Sequence, residues 1–215
     1  MRGAIFDIDG TLLDSMNVWY DLIDNFFKEY GAVLSEEESS SIKELTLDES
    51  IPMIIDRFKL PLTTDELLKE FKRRMFIEYS ENIPLKAGAK EYVQKLYKNG
   101  VKIAVATSGY EALCKAALTR LGIWNCIDAA AFSSEVGVNK SNPDVYLLAA
   151  QRIGIPPEEC IVFEDIISGI DGAKKGSFIT CAVYDDSNAD ETETLKKLAD
   201  YYITDWSQAE DMNFS

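Results

Sequence analysis

The chain has 215 residues, nearly half of them hydrophobic, enough for one core domain with a smaller insert and too apolar for disorder. Its formal net charge of −15 repels nucleic acid and anionic surfaces at long range, and no apolar stretch approaches the about 18 residues of a membrane span, so neither nucleic acid nor a membrane is an expected partner. It contains no histidine, which removes Ser-His-Asp and Cys-His catalysis and histidine-held zinc, and leaves acid–base work to carboxylates and lysine and any metal to oxygen donors.

In chain order, the start does not read as a secretory signal, because its apolar run is short and Asp7 and Asp9 follow at once. A cytoplasmic protein is the expectation. Residues 2–8 read as a buried strand broken by Gly10-Thr11. From Ser15 the rhythm turns helical: Val18, Trp19, Leu22, Ile23, Phe26, Phe27 and Tyr30 recur at three- and four-residue steps until Gly31. Further helical patterns cover about 35–45, 48–58 and 64–81, punctuated by Pro52 and Pro61, with no strand between 15 and 85. After Pro84, helices near 88–98, 110–121, 143–153 and 167–175 alternate with strands near 101–107, 127–132, 160–164, 177–183 and 201–203. Such alternation predicts βαβ units and an α/β fold, a doubly wound, Rossmann-like parallel sheet. Residues 1–14 and 85–215 form this core, and 15–84 an inserted all-helical domain. Cys114, Cys126, Cys160 and Cys181 lie in apolar contexts without a CxxC pair and read as buried thiols. The acidic run Asp185–Glu191 reads as a solvated loop.

In open α/β sheets, ligands bind beyond the carboxyl ends of the strands. Asp7 and Asp9 end the first strand, Thr107 and Ser108 the second; Lys140 follows the third, and Glu164 and Asp165 end the fourth. Alternate strand residues face the same way, so Asp7 and Asp9 are expected together, losing hydration and repelling each other. Asp165 worsens that repulsion unless a divalent cation such as Mg²⁺ lies among them. Lys140 supplies the remaining positive charge. A phosphoryl group held there is open to attack by the Asp7 carboxylate, giving an aspartyl-phosphate, with Asp9 placed to act as acid and then base. Thr107, Ser108 and nearby backbone N–H groups are expected to bind phosphoryl oxygens, and Gly10 to let the backbone approach the ligand.

Four segments carry a family resemblance: Asp7-Ile8-Asp9-Gly10-Thr11-Leu12-Leu13-Asp14-Ser15, Val105-Ala106-Thr107-Ser108, Lys140-Ser141-Asn142-Pro143-Asp144, and Glu164-Asp165-Ile166-Ile167-Ser168-Gly169-Ile170. In order they resemble the four motifs of the haloacid dehalogenase (HAD) superfamily. Over nearly its whole length the chain is similar to hydrolases of that superfamily with a helical cap after the first strand, in the group of β-phosphoglucomutase and the sugar-phosphate phosphatases. The resemblance implies a HAD core, Asp7 as nucleophile, Asp9 as acid and base, and Thr107 and Lys140 as phosphoryl holders. It implies Mg²⁺ on Asp7, the Asp9 backbone carbonyl and Asp165, with Glu164 supporting the metal site through water.

In the mutases of that group a histidine in the first cap helix couples cap closure to proton transfer; Trp19 stands in its place. Their substrate loop reads Lys-Gly with an arginine three residues on; here Lys43 is followed by Glu44, and Leu47 takes the arginine's place. The expected function is therefore hydrolysis of a small phosphorylated metabolite, a sugar phosphate, by a monomer, with a phosphohexose mutase as the alternative. A phospho-receiver domain would carry its acceptor alone on a middle strand and lack such an insert, and dehalogenases need no metal and lack the second aspartate. Trp19 either lines the substrate pocket or belongs to the cap's own core. Lys72-Arg73-Arg74 reads as a solvated helix side, Tyr110 and Glu111 as an ordinary first helical turn, and Ser168 as a helix-terminal hydrogen bond or a ligand contact.

Overall fold

Gly3–Phe6 (β1) is buried on both faces, the pattern of a strand inside a parallel sheet. In the computed structural model, which describes residues 1–35, 38 and 47–211, β1 lies between Lys102–Thr107 (β2) and Cys160–Glu164 (β4). With Ala129–Phe132 (β3), Ile179–Val183 (β5) and Tyr201–Ile203 (β6), the strands form one parallel sheet in the order β3-β2-β1-β4-β5-β6. The chain reverses its direction of winding at β1, so the crevice beyond its carboxyl end is the natural ligand position. Two units are distinct: residues 1–16 with 83 onward, and residues 17–82.

The second unit is helical. Met16–Glu29 (α1), Leu47–Phe58 (α2) and Thr64–Ile77 (α3) supply it, and α3 runs on through a π-helical turn, Glu78–Asn82. A capping box starts α3: Thr63 Oγ1 accepts from the Glu66 N–H, and Glu66 accepts from the Thr63 N–H. Phe26 meets Phe71 edge-on at 5.2 Å, and half-buried Trp19 donates its indole N–H to the Tyr79 hydroxyl of the same unit at 2.8 Å. Arg73 pairs with Glu70, and Arg74 with Glu70 and Glu29 while lying over the Phe26 ring. The helical pattern at 35–45 lies outside the described residues apart from 35 and 38, as do Lys43 and Glu44; Leu47 opens α2.

The remaining helices clothe the sheet: Ala89–Lys98 (α4), Glu111–Arg120 (α5), Ser133–Val136 (α6), Asp144–Ile153 (α7), Ile167–Lys175 (α8), Thr192–Leu198 (α9) and Trp206–Asp211 (α10). Alternation along β1 sends Ile5 to one face, where it packs with Ala104, Val162 and the α7 residues Val145, Tyr146 and Ala149. Phe6 goes to the other face, stacked on Phe163 at 4.8 Å and joined by Tyr92 of α4 and Trp206 of α10. A Cβ on Gly172 would overlap the Lys140 carbonyl, so the glycine lets α8 press against the loop that presents Lys140. The acidic run after β5 departs from the solvated loop its composition predicts. Asp186–Glu191 forms a 3₁₀ segment, and Asp185 is buried and paired with Lys86 at 2.8 Å. Charge density in the run is blind to a lysine arriving from a distant segment. Among the described residues, no helix is long and apolar enough to cross a membrane.

Candidate active site

Because all six strands run the same way, Asp7, Thr107, Lys140 and Glu164-Asp165 come to one edge of the sheet. Asp7 sits one residue past β1, its N–H bonded to the Phe163 carbonyl at 2.9 Å. There the ladder ends, and the Leu12 and Leu13 N–H groups fold back onto the Ile8 carbonyl. The Asp7 carboxylate bonds Lys140 and that of Asp9 bonds Ser15, yet the two lie near enough for Asp9 to repel Asp7.

The Asp7 carboxylate takes the ammonium of Lys140, which is shared with Glu164. Glu164 is fully buried and also accepts the Tyr146 hydroxyl at 2.9 Å. Asp165 accepts Thr11 Oγ1 at 2.9 Å and Asn188 Nδ2 at 3.1 Å. A carboxylate oxygen from each of Asp7, Glu164 and Asp165 lies within 4.8 Å of the others. Gly10, in the left-handed region at φ 79°, passes so near Asp165 that a Cβ would overlap its carboxylate. Asp9 stands beside this trio, half-buried, with Oδ1 accepting Ser15 Oγ at 2.8 Å. A Cβ on Gly109 would lie 3.2 Å from Asp9 Oδ2 and 3.3 Å from Thr107 Oγ1, so Asp9 borders the turn after β2. In that turn Thr107 Oγ1 accepts the Gly109 N–H at 2.9 Å, leaving its own proton to donate. Ser108 is exposed and shares a hydrogen bond with Ser133 at 3.0 Å.

Three buried carboxylates face one ammonium. Burial pushes the Asp7 carboxyl up to about 7 against the pull of Lys140, and Glu164 and Asp9 add repulsion. Burial, then Glu164 and Asp7, hold Asp165 well above the usual carboxylate range. Burial alone would lower Lys140, but Asp7 and Glu164 outweigh it and keep the ammonium charged. Burial and then Glu164 push the Tyr146 hydroxyl well up, so it stays a donor. The chemistry of this donor set fits a divalent cation: hard oxygens, little water and surplus negative charge.

Of the predicted residues, the structure brings Asp7, Lys140, Glu164 and Asp165 into contact, with Gly10, Asp9 and Thr107 at the border and Ser108 on the exposed side. Trp19 lies in the helical unit. Ser168 is exposed, and Tyr110 precedes α5 without a side-chain cap. Tyr146, Asn188 and Ser15 were not anticipated as partners. Tyr146 is hidden in the apolar stripe of α7, and Asn188 in a run dominated by acids; Ser15 falls at the end of the first motif, the one signal that pointed near it.

Residues 4–183 match the family model described as haloacid dehalogenase-like hydrolase. The chain is 28% identical over 178 residues to the phosphorylated carbohydrates phosphatase of Thermotoga maritima, covering 81% of each chain. It is 30% identical over 184 residues to the fructose-1-phosphate phosphatase YqaB of Escherichia coli, covering 80% of this chain and 90% of the relative. In fold it is similar to the crystal structure of β-phosphoglucomutase from Clostridium difficile, with a TM-score of 0.76, 20% identity, and coverage of 100% of this chain and 94% of that one. The chain belongs to the haloacid dehalogenase-like hydrolase family.

Proposed function

We propose that this protein is a Mg²⁺-dependent phosphatase of a small phosphomonoester, a sugar phosphate, acting through an aspartyl-phosphate on Asp7. The observation that carries the reading is the buried trio Asp7, Glu164 and Asp165 with Lys140 locked against two of its members. Relatives named as phosphatases of phosphorylated carbohydrates and of fructose 1-phosphate support the substrate class. Asp7, Asp165 and the Asp9 backbone carbonyl would hold the ion, with Glu164 in support. When bound, Mg²⁺ neutralises phosphoryl oxygens and relieves the repulsion among the acids.

The residues then divide the work. Lys140 and the Thr107 hydroxyl hold phosphoryl oxygens, with Ser108 at the exposed side. An Asp7 carboxylate oxygen attacks phosphorus as the bond to the leaving alcohol oxygen breaks. Asp9, steadied by Ser15, gives that oxygen its proton. Asp9 then takes a proton from water, whose oxygen attacks the aspartyl-phosphate, releasing phosphate and restoring Asp7. With no histidine in the chain and Trp19 engaged with Tyr79, water is the final acceptor in this reading.

Phosphate release from an aryl phosphate, then from a panel of sugar phosphates, tests the proposal. Turnover should require Mg²⁺ and fall at least ~10³-fold in Asp7→Asn. Undiminished turnover in that variant would overturn the mechanism. Conversion of β-glucose 1-phosphate to glucose 6-phosphate, absent in this reading, would establish the mutase instead.

A further inference from the structure

Beyond residue 183, where the family match ends, the chain returns to the acidic cluster. Asn188 Nδ2 donates to Asp165 Oδ2 at 3.1 Å and to the Asp165 carbonyl at 3.4 Å. Thr11 Oγ1 donates to the other oxygen, Oδ1, at 2.9 Å. Each oxygen of Asp165 thus has one neutral donor and keeps a lone pair. Two neutral donors fix the plane of the carboxylate without adding charge. A lysine or arginine in the place of Asn188 would bring a positive charge that competes with a cation.

Asn188 is itself held in place. Its backbone, at φ −119° and ψ 25°, interrupts the 3₁₀ segment, and its N–H bonds the Asp185 carbonyl at 3.1 Å. Asp185 Oδ1 accepts Ser187 N and Oγ at 2.9 and 2.5 Å, and Oδ2 takes Lys86 Nζ at 2.8 Å. The same ammonium donates to the Tyr184 carbonyl at 2.6 Å. The Lys86 N–H bonds the Leu12 carbonyl at 2.9 Å, one residue past Thr11. The two donors on Asp165, from opposite ends of the sequence, are therefore tied to one frame.

We infer that Asn188 is a positioning residue that orients Asp165 as a cation ligand, with the Lys86–Asp185 ion pair fixing the loop that carries it. The inference rests on the divalent-cation reading above. Losing an outer partner of a metal-binding carboxylate costs about 10–100-fold in metal affinity.

The test is calorimetric titration of Mn²⁺ and Mg²⁺ into the chelator-stripped full chain, comparing wild type with N188A, K86M and D165N. D165N should lose saturable binding. N188A should bind about 10-fold more weakly, and K86M more weakly than wild type by a smaller factor. Across a Mg²⁺ series, half-saturation in N188A should rise by more than saturated turnover falls, while its urea midpoint without metal stays near that of wild type. Wild-type affinity in N188A alongside loss in D165N would overturn the role of Asn188 and leave the cation reading standing. Equal binding by wild type and D165N would sink the cation reading and this inference with it. A fall in the metal-free midpoint with turnover lost at every Mg²⁺ concentration would mark Asn188 as merely structural and overturn the inference.

Discussion

Both units of this protein carry networks of opposite charges, but in different solvents. In the α/β unit, Lys140, Asp7 and Glu164 have side chains exposed by 6% or less. In the helical unit, Arg74, Glu70 and Glu29 form a chain of ion pairs with side chains 24–54% exposed, laid along an aromatic interior. Exposed pairs are screened and add little, so they are compatible with many neighbouring sequences. Buried charges are costly unless paired, and three acids on one ammonium remain under-compensated. The difference teaches where charge is stored: among the described residues, surplus charge is kept out of water in the α/β unit and not in the helical one, at the carboxyl edge of its sheet.

Several substitutions probe that contrast. Lys140→Met should act most strongly, because it leaves Asp7 and Glu164 buried without their ammonium. Turnover should vanish, and stability in urea without metal should drop by ~4 kcal/mol. Phe71→Ala removes a ring from the helical interior and should cost ~3 kcal/mol, at the low end for a buried phenylalanine because this unit is small enough to relax around the gap. Hydrogen exchange should localise that loss to residues 17–82. A loss spread evenly over both units would blur the distinction between them.

The units should also answer pH in opposite senses. In metal-free protein the folded-state pKa of Asp7, about 7, lies above its ordinary 3.8. The folded state therefore holds that proton longer, and the group opposes folding progressively as pH rises from about 4 through about 7. Hydrogen bonds from Arg73 and Arg74 draw Glu70 down to about 2. Its stabilisation is present above its ordinary 4.5 and is lost as pH falls through about 2. Urea midpoints at pH 5 and 7.5, read by Trp206 fluorescence in a Trp19→Phe, Trp124→Phe background, should fall with rising pH under chelator and recover with Mg²⁺. A midpoint that rises with pH under chelator would contradict the burial of unrelieved charge at Asp7. Arg73→Ala should have the smallest effect, since it removes one exposed pair; its urea midpoint should match wild type. A clear loss there would mean that the helical unit depends on its surface charges after all.

What the amino-acid order determined was local. The first buried strand, read at 2–8 and running Gly3–Phe6, the helical period from Val18 to Tyr30 and the later alternation of strands with helices each arise from neighbours a few residues apart, which side-chain periodicity reports directly. The acids at strand ends were legible for the same reason: once the strands run parallel, their carboxyl ends must share an edge. Three contacts were illegible: Tyr146 with Glu164, Lys86 with Asp185, and Asn188 with Asp165. Each joins segments that the strand order β3-β2-β1-β4-β5-β6 brings together. For the Asp7/Asp9 pair, tertiary structure supplies the bonded partners, Lys140 for one carboxylate and Ser15 for the other. The sequence chose the groups that bear charge; tertiary structure decided which of them meet out of water, since desolvation and pairing depend on distance in space and not on separation along the chain.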